Sequence, residues 1–595
     1  MGPEADGGVP EDQEHARSGR NPQPGCGRSA SRAGPAGRSL APIWRCRVIL
    51  VSLNQIPAAI GSALRARWHF FTLVGLLVLS VWSVAAWDVE SPPPPPSPVE
   101  TVEAIRPAPA RPPIGQDILT LRRDIAALLD TPSLRSAEWG VLVVSLQGGD
   151  TLFAHAENHF LAPASNMKIA TTAAALHFLG PSFTYETFVY ADGPVENGVL
   201  RGDVILYGTG DPGISDRFYR NRTDVYEALA EQIAEAGITR VEGAVIGDAT
   251  YFSGPELGPE WDPRDLNEWF AASASALSFN ENIVTLQILP SARAGLPPRI
   301  ETIPFGFPLD VSNSAETVTG RPRPNLWLDR VEPTARIRVD GEIRQGGPDI
   351  WRRLTVPDPA LFAARAFREV LISEGIGVRS PERSVHTIAR SRITGRESWA
   401  PRLLDQDEPR LVARHTSPRL LEYLTVLNHE SHNLFAETII KTIGKVATGE
   451  GSFEGGARAV QSFATREAGI ESDQIVAVDG SGLSESNRTS AAAMVGFLRQ
   501  VAASDHWDAF VSTLPEAGRS LRRMYGTRAA RNLRAKTGTI DGVSALTGLV
   551  TTRDGEVLLF SILSNELRST GAAKRVEDRI GARLAEFRRD TASAL

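Results

Sequence analysis

Between Trp68 and Trp87 the chain contains no Lys, Arg, Asp or Glu, and the proline run Pro92 to Pro96 follows closely. About 20 such residues are what an α-helix needs to cross a bilayer, and the prolines end any helix that might continue. Arg65 and Arg67 stand directly before the run, Asp88 and Glu90 directly after it, and no acidic residue occurs from Arg17 to Arg67. The positive-inside bias then leaves the N-terminus in the cytoplasm and exports the rest. The reading is a basic cytoplasmic segment at 1–67, a transmembrane anchor at 68–87, and a Pro-rich extended linker at 88–114. Cleavage after Ser83-Val84-Ala85 turns the anchor into a signal peptide. Both cysteines, Cys26 and Cys46, precede the run, so the exported part needs no disulfides and must build its own cores. The expected location is a bacterial cell envelope, on the periplasmic side.

At 595 residues there is room for about three or four domains. A formal charge of −7 argues against nucleic acid as a partner. Asp117 opens an amphipathic helix in which Ile118, Leu121, Ile125, Leu128 and Leu129 share a face. Trp139 to Leu146 and Thr151 to Ala154 read as a hairpin about Gly148-Gly149-Asp150. Ser165 to Leu179 is apolar on all sides, a helix inside a core. A second hairpin, 545–552 with 556–563, and a helix from about Gly571 close the chain. From about Ser182 to Arg410, Gly, Pro and β-forming residues dominate, with few long helical patterns. No internal repeat is present.

Chemistry enters at three places. In Ser165-Asn166-Met167-Lys168 the serine and lysine lie three apart, on one face of a helix, so the amine can take the proton that a serine nucleophile must lose. In Ser431-His432-Asn433 a turn leads into an apolar helix; Ser431 can relay a proton and Asn433 can position Lys168 and a substrate amide. In Lys536-Thr537-Gly538-Thr539, beside a candidate edge strand, Lys536 offers a fixed cation, Thr537 a hydroxyl for a carboxylate, and Gly538 room for close approach. The chain has 63 basic residues, of which only five are lysine. Two of those five stand where an amine is needed, and arginine cannot serve as a base. Lys441-Thr442-Ile443-Gly444 has a spoiled spacing and reads as helix surface.

Ser-x-x-Lys, Ser-x-Asn and Lys-Thr-Gly in this order resemble the penicillin-recognising serine enzymes. The gap from Ser165 to Ser431 is far longer than a β-lactamase needs, and resembles the penicillin-binding protein 4 type of D-alanyl-D-alanine carboxypeptidase and endopeptidase. Gly208 to Pro212 (GTGDP), Ser275 to Asn282 (SALSFNEN), Asp479 to Ser484 (DGSGLS) and Arg534 to Thr539 (RAKTGT) carry the likeness from about Ile114 to the C-terminus. The resemblance implies an α/β (α+β) β-lactamase/transpeptidase-like catalytic domain at 115–183 and 411–595. Two β-rich domains are inserted at 184–410, one of them nested at about 209–289. It implies acylation of Ser165 with Lys168 as general base and Ser431 and Asn433 completing proton transfer. Lys536 and Thr537 would hold the substrate carboxylate, and the amides of Ser165 and Thr539 the oxyanion. The implied partners are peptidoglycan stem peptides, with β-lactam antibiotics as covalent inhibitors, and the membrane through the N-terminal segment. Trp261, Asp265 and Phe270 match the inserted segment that lines the pocket for the peptide side chain. Members often carry Arg after DGSGLS, where Glu485 here reverses the charge.

Other readings fare worse. Gly208 to Gly213 fits G-x-G-x-x-G, but Pro212 and the missing helix start make it a turn, so no dinucleotide or other cofactor is expected. His155, His159, His429 and His432 lack metal-ligand spacing and read as surface or capping residues, with no metal site. The competing functions are a β-lactamase or esterase of the same layout and a non-catalytic envelope scaffold.

Overall fold

The computed structural model describes residues 115–304, 309–320, 325–330, 336–393 and 408–589. The expected segments 1–67, 68–87 and 88–114 lie outside the described residues. Among those described, no helix is long and apolar enough to cross a membrane.

The fold is mixed α/β. Strands β1 (Glu138–Ser145) and β2 (Thr151–His155) precede Ser165, and β3 (Arg534–Ile540), β4 (Val543–Thr551) and β5 (Val557–Asn565) come from the other end of the chain. They form one antiparallel sheet in the order β2-β1-β5-β4-β3. Because side chains alternate across a strand, β4 and β5 can be buried along nearly their whole length only if both faces are covered. Helix α1 (Gln116–Leu129) and the C-terminal α7 (Thr570–Glu586) cover one face, against Val141, Leu546, Phe560 and Ile562. On the other, α2 (Met167–Phe178), α3 (Leu420–His429), α4 (Asn433–Thr448), α5 (Phe453–Arg466) and α6 (Ala491–Ala502) share a core with Val144, Ala545, Leu559 and Leu563. Each large side chain so buried stabilises the sandwich by about 1.5–3 kcal/mol. Asp117 falls inside α1, whose N-cap is Gly115, so it adds charge to the first turn rather than a cap.

The residues between are less purely β than their composition suggests. A second five-stranded sheet runs in the order Arg383–Val385, Val245–Asp248, Asp203–Gly208, Glu186–Asp192, Arg410–Thr416. Helices Asp224–Glu235 and Pro359–Ser373 share its core. Their apolar residues, among them Val225, Leu229 and Ile233, sit at helical spacing, and these are the two α-helices among the described residues of a region expected to hold few. Val245–Asp248 pairs with Asp203–Gly208, so part of the expected nested segment 209–289 shares a sheet with its flanks. The three-stranded sheet and one four-stranded sheet are built from strands between Ile283 and Thr355, and a second four-stranded sheet runs in the order Gly377–Val378, Arg240–Val241, Val199–Leu200, Val195–Glu196.

Candidate active site

Ser165 lies in the single 3-10 turn Ala164–Asn166 that opens α2, not in the α-helix itself. Ala164 enters that turn at φ 47°. Strand β3, last in its sheet, passes directly alongside. A Cβ at Gly538 would lie 2.5 Å from Pro163 O and 3.2 Å from Ser165 N, so only glycine allows this approach. Asn166 Nδ2 donates to Lys536 O at 3.0 Å and pins the turn to the strand. The expected edge strand therefore runs through the Lys-Thr-Gly-Thr residues themselves.

Lys168 is fully buried. Its Nζ lies 2.9 Å from Ser165 Oγ, 2.8 Å from Asn433 Oδ1 and 2.8 Å from Ser481 O. The last two can only accept from the amine. A neutral amine has two N–H groups and one lone pair, so those two acceptors leave the lone pair for the Ser165 hydroxyl. Burial draws the Lys168 pKa down to about 7, against the opposing pull of Glu437 and Asp479. The site thus stabilises the form of lysine that can receive a proton.

Ser431 joins α3 to α4 with φ 55°, and Asn433 is the first residue of α4. Asn433 Nδ2 donates to the backbone carbonyl of Phe270 at 2.9 Å, so its orientation is fixed from both ends. Lys536 Nζ donates to Ser431 Oγ at 3.0 Å and to Thr537 O at 2.9 Å. Burial first, and Lys168 second, push the Lys536 pKa well down. A third N–H of its ammonium remains for an anion. The three sequence motifs accordingly meet in two linked contacts, Ser165–Lys168–Asn433 and Ser431–Lys536.

The expected pocket residues are placed differently. Trp261 is buried and donates Nε1–H to Asp479 Oδ2 at 3.0 Å, so it supports the Asp479–Ser484 loop. Asp265 is half-buried in a turn whose amide bonds link it to Asp262 and Glu268. Glu485 is exposed and lines a cleft of about 710 Å³ with Arg488, Asp541, Glu566 and Arg568. Lys441 is wholly buried instead of lying on a helix surface. It donates to Pro255 O at 2.9 Å and Ala274 O at 3.2 Å, with the rings of Phe252 and Phe453 about its ammonium. His432 is buried as well, bonded to Glu281, while the other three histidines are exposed. Among the described residues no cluster of His, Cys, Asp or Glu could hold a metal ion.

Glu437 went unnoticed in the sequence, and Asp479 was given no task beyond opening the Asp479–Ser484 likeness. Glu437 accepts from Gly480 N at 2.7 Å and Ser481 N at 3.1 Å, and so places the carbonyl that meets Lys168. Asp479 accepts from Gly482 N and Ser484 N, both at 2.7 Å, and closes the loop around it. The available signal was spacing: Asn433, Glu437 and Lys441 recur every four residues, a polar stripe along one face of an otherwise apolar helix.

A serine beside a buried amine, with a second amine held ready for an anion, defines a serine-type hydrolase of the Ser-Lys kind. The model of the D-Ala-D-Ala carboxypeptidase 3 (S13) family matches residues 121–587. The D-alanyl-D-alanine carboxypeptidase of Actinomadura sp. (strain R39) is 32% identical over 488 residues, covering 80% of this chain and 86% of the relative. The D-alanyl-D-alanine carboxypeptidase DacB of Haemophilus influenzae is 26% identical over 415 residues, covering 67% and 80%. The crystal structure of penicillin binding protein 4 (dacB) from Haemophilus influenzae superposes with a TM-score of 0.66 at 23% identity, over 78% of this chain and 100% of that one. The same protein complexed with a novel β-lactam gives 0.61 at 21% identity, over 78% and 98%. The chain belongs to the D-Ala-D-Ala carboxypeptidase 3 (S13) family and is a serine-type D-alanyl-D-alanine carboxypeptidase.

Proposed function

We propose that Ser165 is the nucleophile and Lys168 its general base, in a reaction that trims the terminal D-alanine from peptidoglycan stem peptides. Lys168 takes the hydroxyl proton as Ser165 Oγ adds to the penultimate D-alanine carbonyl. The amides of Ser165 and Thr539 receive the oxyanion. Ser431 accepts a hydrogen bond from Lys536, so its own proton is free to reach the departing amine, completing a relay from Lys168 with Asn433 as guide. D-alanine leaves, and water hydrolyses the acyl-serine along the reverse proton path. Lys536, Thr537, Gly538 and Thr539 form the cradle for the substrate carboxylate. Trp261 supports the loop beneath, and Asp265 belongs to the turn on the peptide side-chain flank. β-Lactams acylate the same serine. Endopeptidase action is the same chemistry with a longer leaving amine.

The observation that carries this reading is that Lys168 Nζ lies 2.9 Å from Ser165 Oγ while two atoms that can only accept, Asn433 Oδ1 and Ser481 O, occupy two of its N–H groups. The reading places the catalytic domain at 115–183 and 411–595 with 184–410 inserted, and sets the enzyme on the periplasmic side of the envelope through 68–87. Mass spectrometry after mixing with a labelled penicillin tests it. A long-lived adduct on Ser165 is expected; rapid turnover indicates a β-lactamase, and an adduct elsewhere overturns the assignment.

A further inference from the structure

The SALSFNEN stretch carries a likeness but no task in the chemistry described so far. In the structure it makes the least ordinary backbone of the chain. Asn280, Glu281 and Asn282 have φ of 49°, 54° and 57°, three consecutive non-glycine residues in the left-handed region. Each costs of order 1 kcal/mol, so such a run persists only where the surroundings over-determine it. Here they do. Asn280 N donates to Ile214 O at 2.8 Å and its Nδ2 to Ile283 O at 2.7 Å. Asn282 Nδ2 donates to Ser273 O at 2.9 Å and Ser278 Oγ at 3.0 Å. With both asparagines tied back into the insert, Glu281 projects from between them toward the Ser431 turn.

There Glu281 Oε2 accepts from His432 Nε2 at 3.0 Å. Arg217 Nε donates to Glu281 Oε1 at 2.6 Å, and Arg217 Nη1 reaches both oxygens of Glu430 at 2.8 Å. Burial opposes the charge on Glu281, but His432 and Arg217 hold its pKa at about 2, so it is a carboxylate. The His432 ring packs on Phe435 with centroids 4.2 Å apart, and its Nδ1 is buried with no hydrogen-bond partner among the described residues. The bond to Glu281 is therefore the only one that sets the imidazole's orientation. His432 is flanked by Ser431, itself at φ 55°, and Asn433. Two strained turns, one from the insert and one from the catalytic part, are thus joined at Glu281, with Arg217 bridging it to Glu430 alongside. A similar clamp lies behind them, where Tyr423 of α3 donates its hydroxyl to Asp211 of the GTGDP stretch at 2.5 Å.

We infer that Glu281 is a positioning residue for acyl transfer, acting through His432 to fix the left-handed Ser431 turn and so to aim Ser431 and Asn433 at Ser165 and Lys168. The inference rests on the acyl-serine reading above. It makes the insert part of the catalytic apparatus, because His432, set between Ser431 and Asn433, has no other side-chain hydrogen-bond partner among the described residues.

Steady-state kinetics on a D-Ala-D-Ala peptide and penicillin acylation rates test it, using the full chain. Glu281→Ala is expected to lower kcat and the acylation rate by about 10- to 100-fold with KM within about two-fold, as for misplacement of a reacting group. Glu281→Gln keeps an oxygen for His432 and should stay within about three-fold of wild type, a conservative rescue that mere loss of folding does not produce. Combined with His432→Ala, Glu281→Ala should add little further loss, since both act through one contact. If Glu281→Ala does not fold, Glu281→Asp carries the test: its carboxylate is withdrawn by one methylene and must depress kcat more than Glu281→Gln does. Unchanged kcat in folded Glu281→Ala, a loss confined to KM, or losses that multiply with His432→Ala overturn the inference. Wild-type protein that forms no adduct on Ser165 overturns the acyl-serine reading instead.

Discussion

The helical side and the sheet side of the site each bury one lysine completely, yet they prepare it for opposite tasks. Lys168, on α2, meets the side chain of Asn433 and the carbonyl of Ser481, and feels the carboxylates of Glu437 and Asp479. Its protein surroundings are complete, and its pKa settles near neutrality. Lys536, on β3, has Ser431 Oγ and its neighbour's carbonyl, and the charge of another lysine, Lys168, repels it. A buried cation is costly until it is paired. Lys168 is built to give up its charge, whereas Lys536 is built to recover it when a carboxylate arrives. The same residue type, equally buried, becomes a base or an anion anchor according to the charges around it.

The largest expected effect breaks the comparison on the helical side. Lys168→Arg keeps the charge and about the size, but guanidinium does not deprotonate. Loss of a general base costs about 10²–10⁴-fold, so penicillin acylation should fall by about 10³-fold or more. Near-normal labelling in that variant means another group takes the Ser165 proton. On the sheet side, Lys536→Ala should lower kcat/KM by about 10²–10³-fold for a substrate with a free carboxylate, the usual cost of deleting one electrostatic contact in a water-poor site. Lys536→Arg, which keeps a cation, should lose less, about ten-fold. A C-terminal amide substrate should be poor with wild type and lose little more in Lys536→Ala. If the amide suffers as large a further loss as the acid, Lys536 is not the anchor and the contrast with Lys168 collapses.

That contrast was only half visible in the sequence. The motif lysines stood out because the chain uses lysine so sparingly, and the apolar runs of β4, β5 and α2 follow from local pattern. What surrounds each lysine did not, because the partners are remote: Ser481 and Asn433 reach Lys168 from 313 and 265 residues away. Lys441 was misread for a related reason, whereas His432 stands at the N-cap of α4, one of the two places expected of it, though buried. A polar residue in an apolar helix looks like surface until a pair of remote carbonyls is seen to satisfy it, as those of Pro255 and Ala274 do. For Trp261, likeness to a pocket-lining segment said nothing of the bond that its indole makes to Asp479.

The smallest effect concerns how sharply Lys168 is poised. Because acylation needs the neutral amine, its rate should rise about ten-fold per pH unit below the Lys168 pKa of about 7 and level off above it. Glu437 raises that pKa, so removing its charge eases deprotonation. Glu437→Gln should therefore move the rising limb to lower pH by about half a unit to one unit, the scale of a carboxylate that acts at one remove. The effect is small because burial raises the pKa of Glu437 itself to about 8, which limits its charge near neutrality. The substitution also costs stability. Glutamine offers one acceptor where Gly480 N and Ser481 N need two, and a buried donor left unsatisfied costs about 1–3 kcal/mol. Position and height of the limb separate the two consequences. A displaced Ser481 carbonyl lowers the plateau without moving the midpoint, whereas loss of charge moves the midpoint toward acid. A midpoint that stays in place, or shifts toward alkali, means that Glu437 shapes the loop but not the base, and the poise of Lys168 must then come from burial and Asp479 alone.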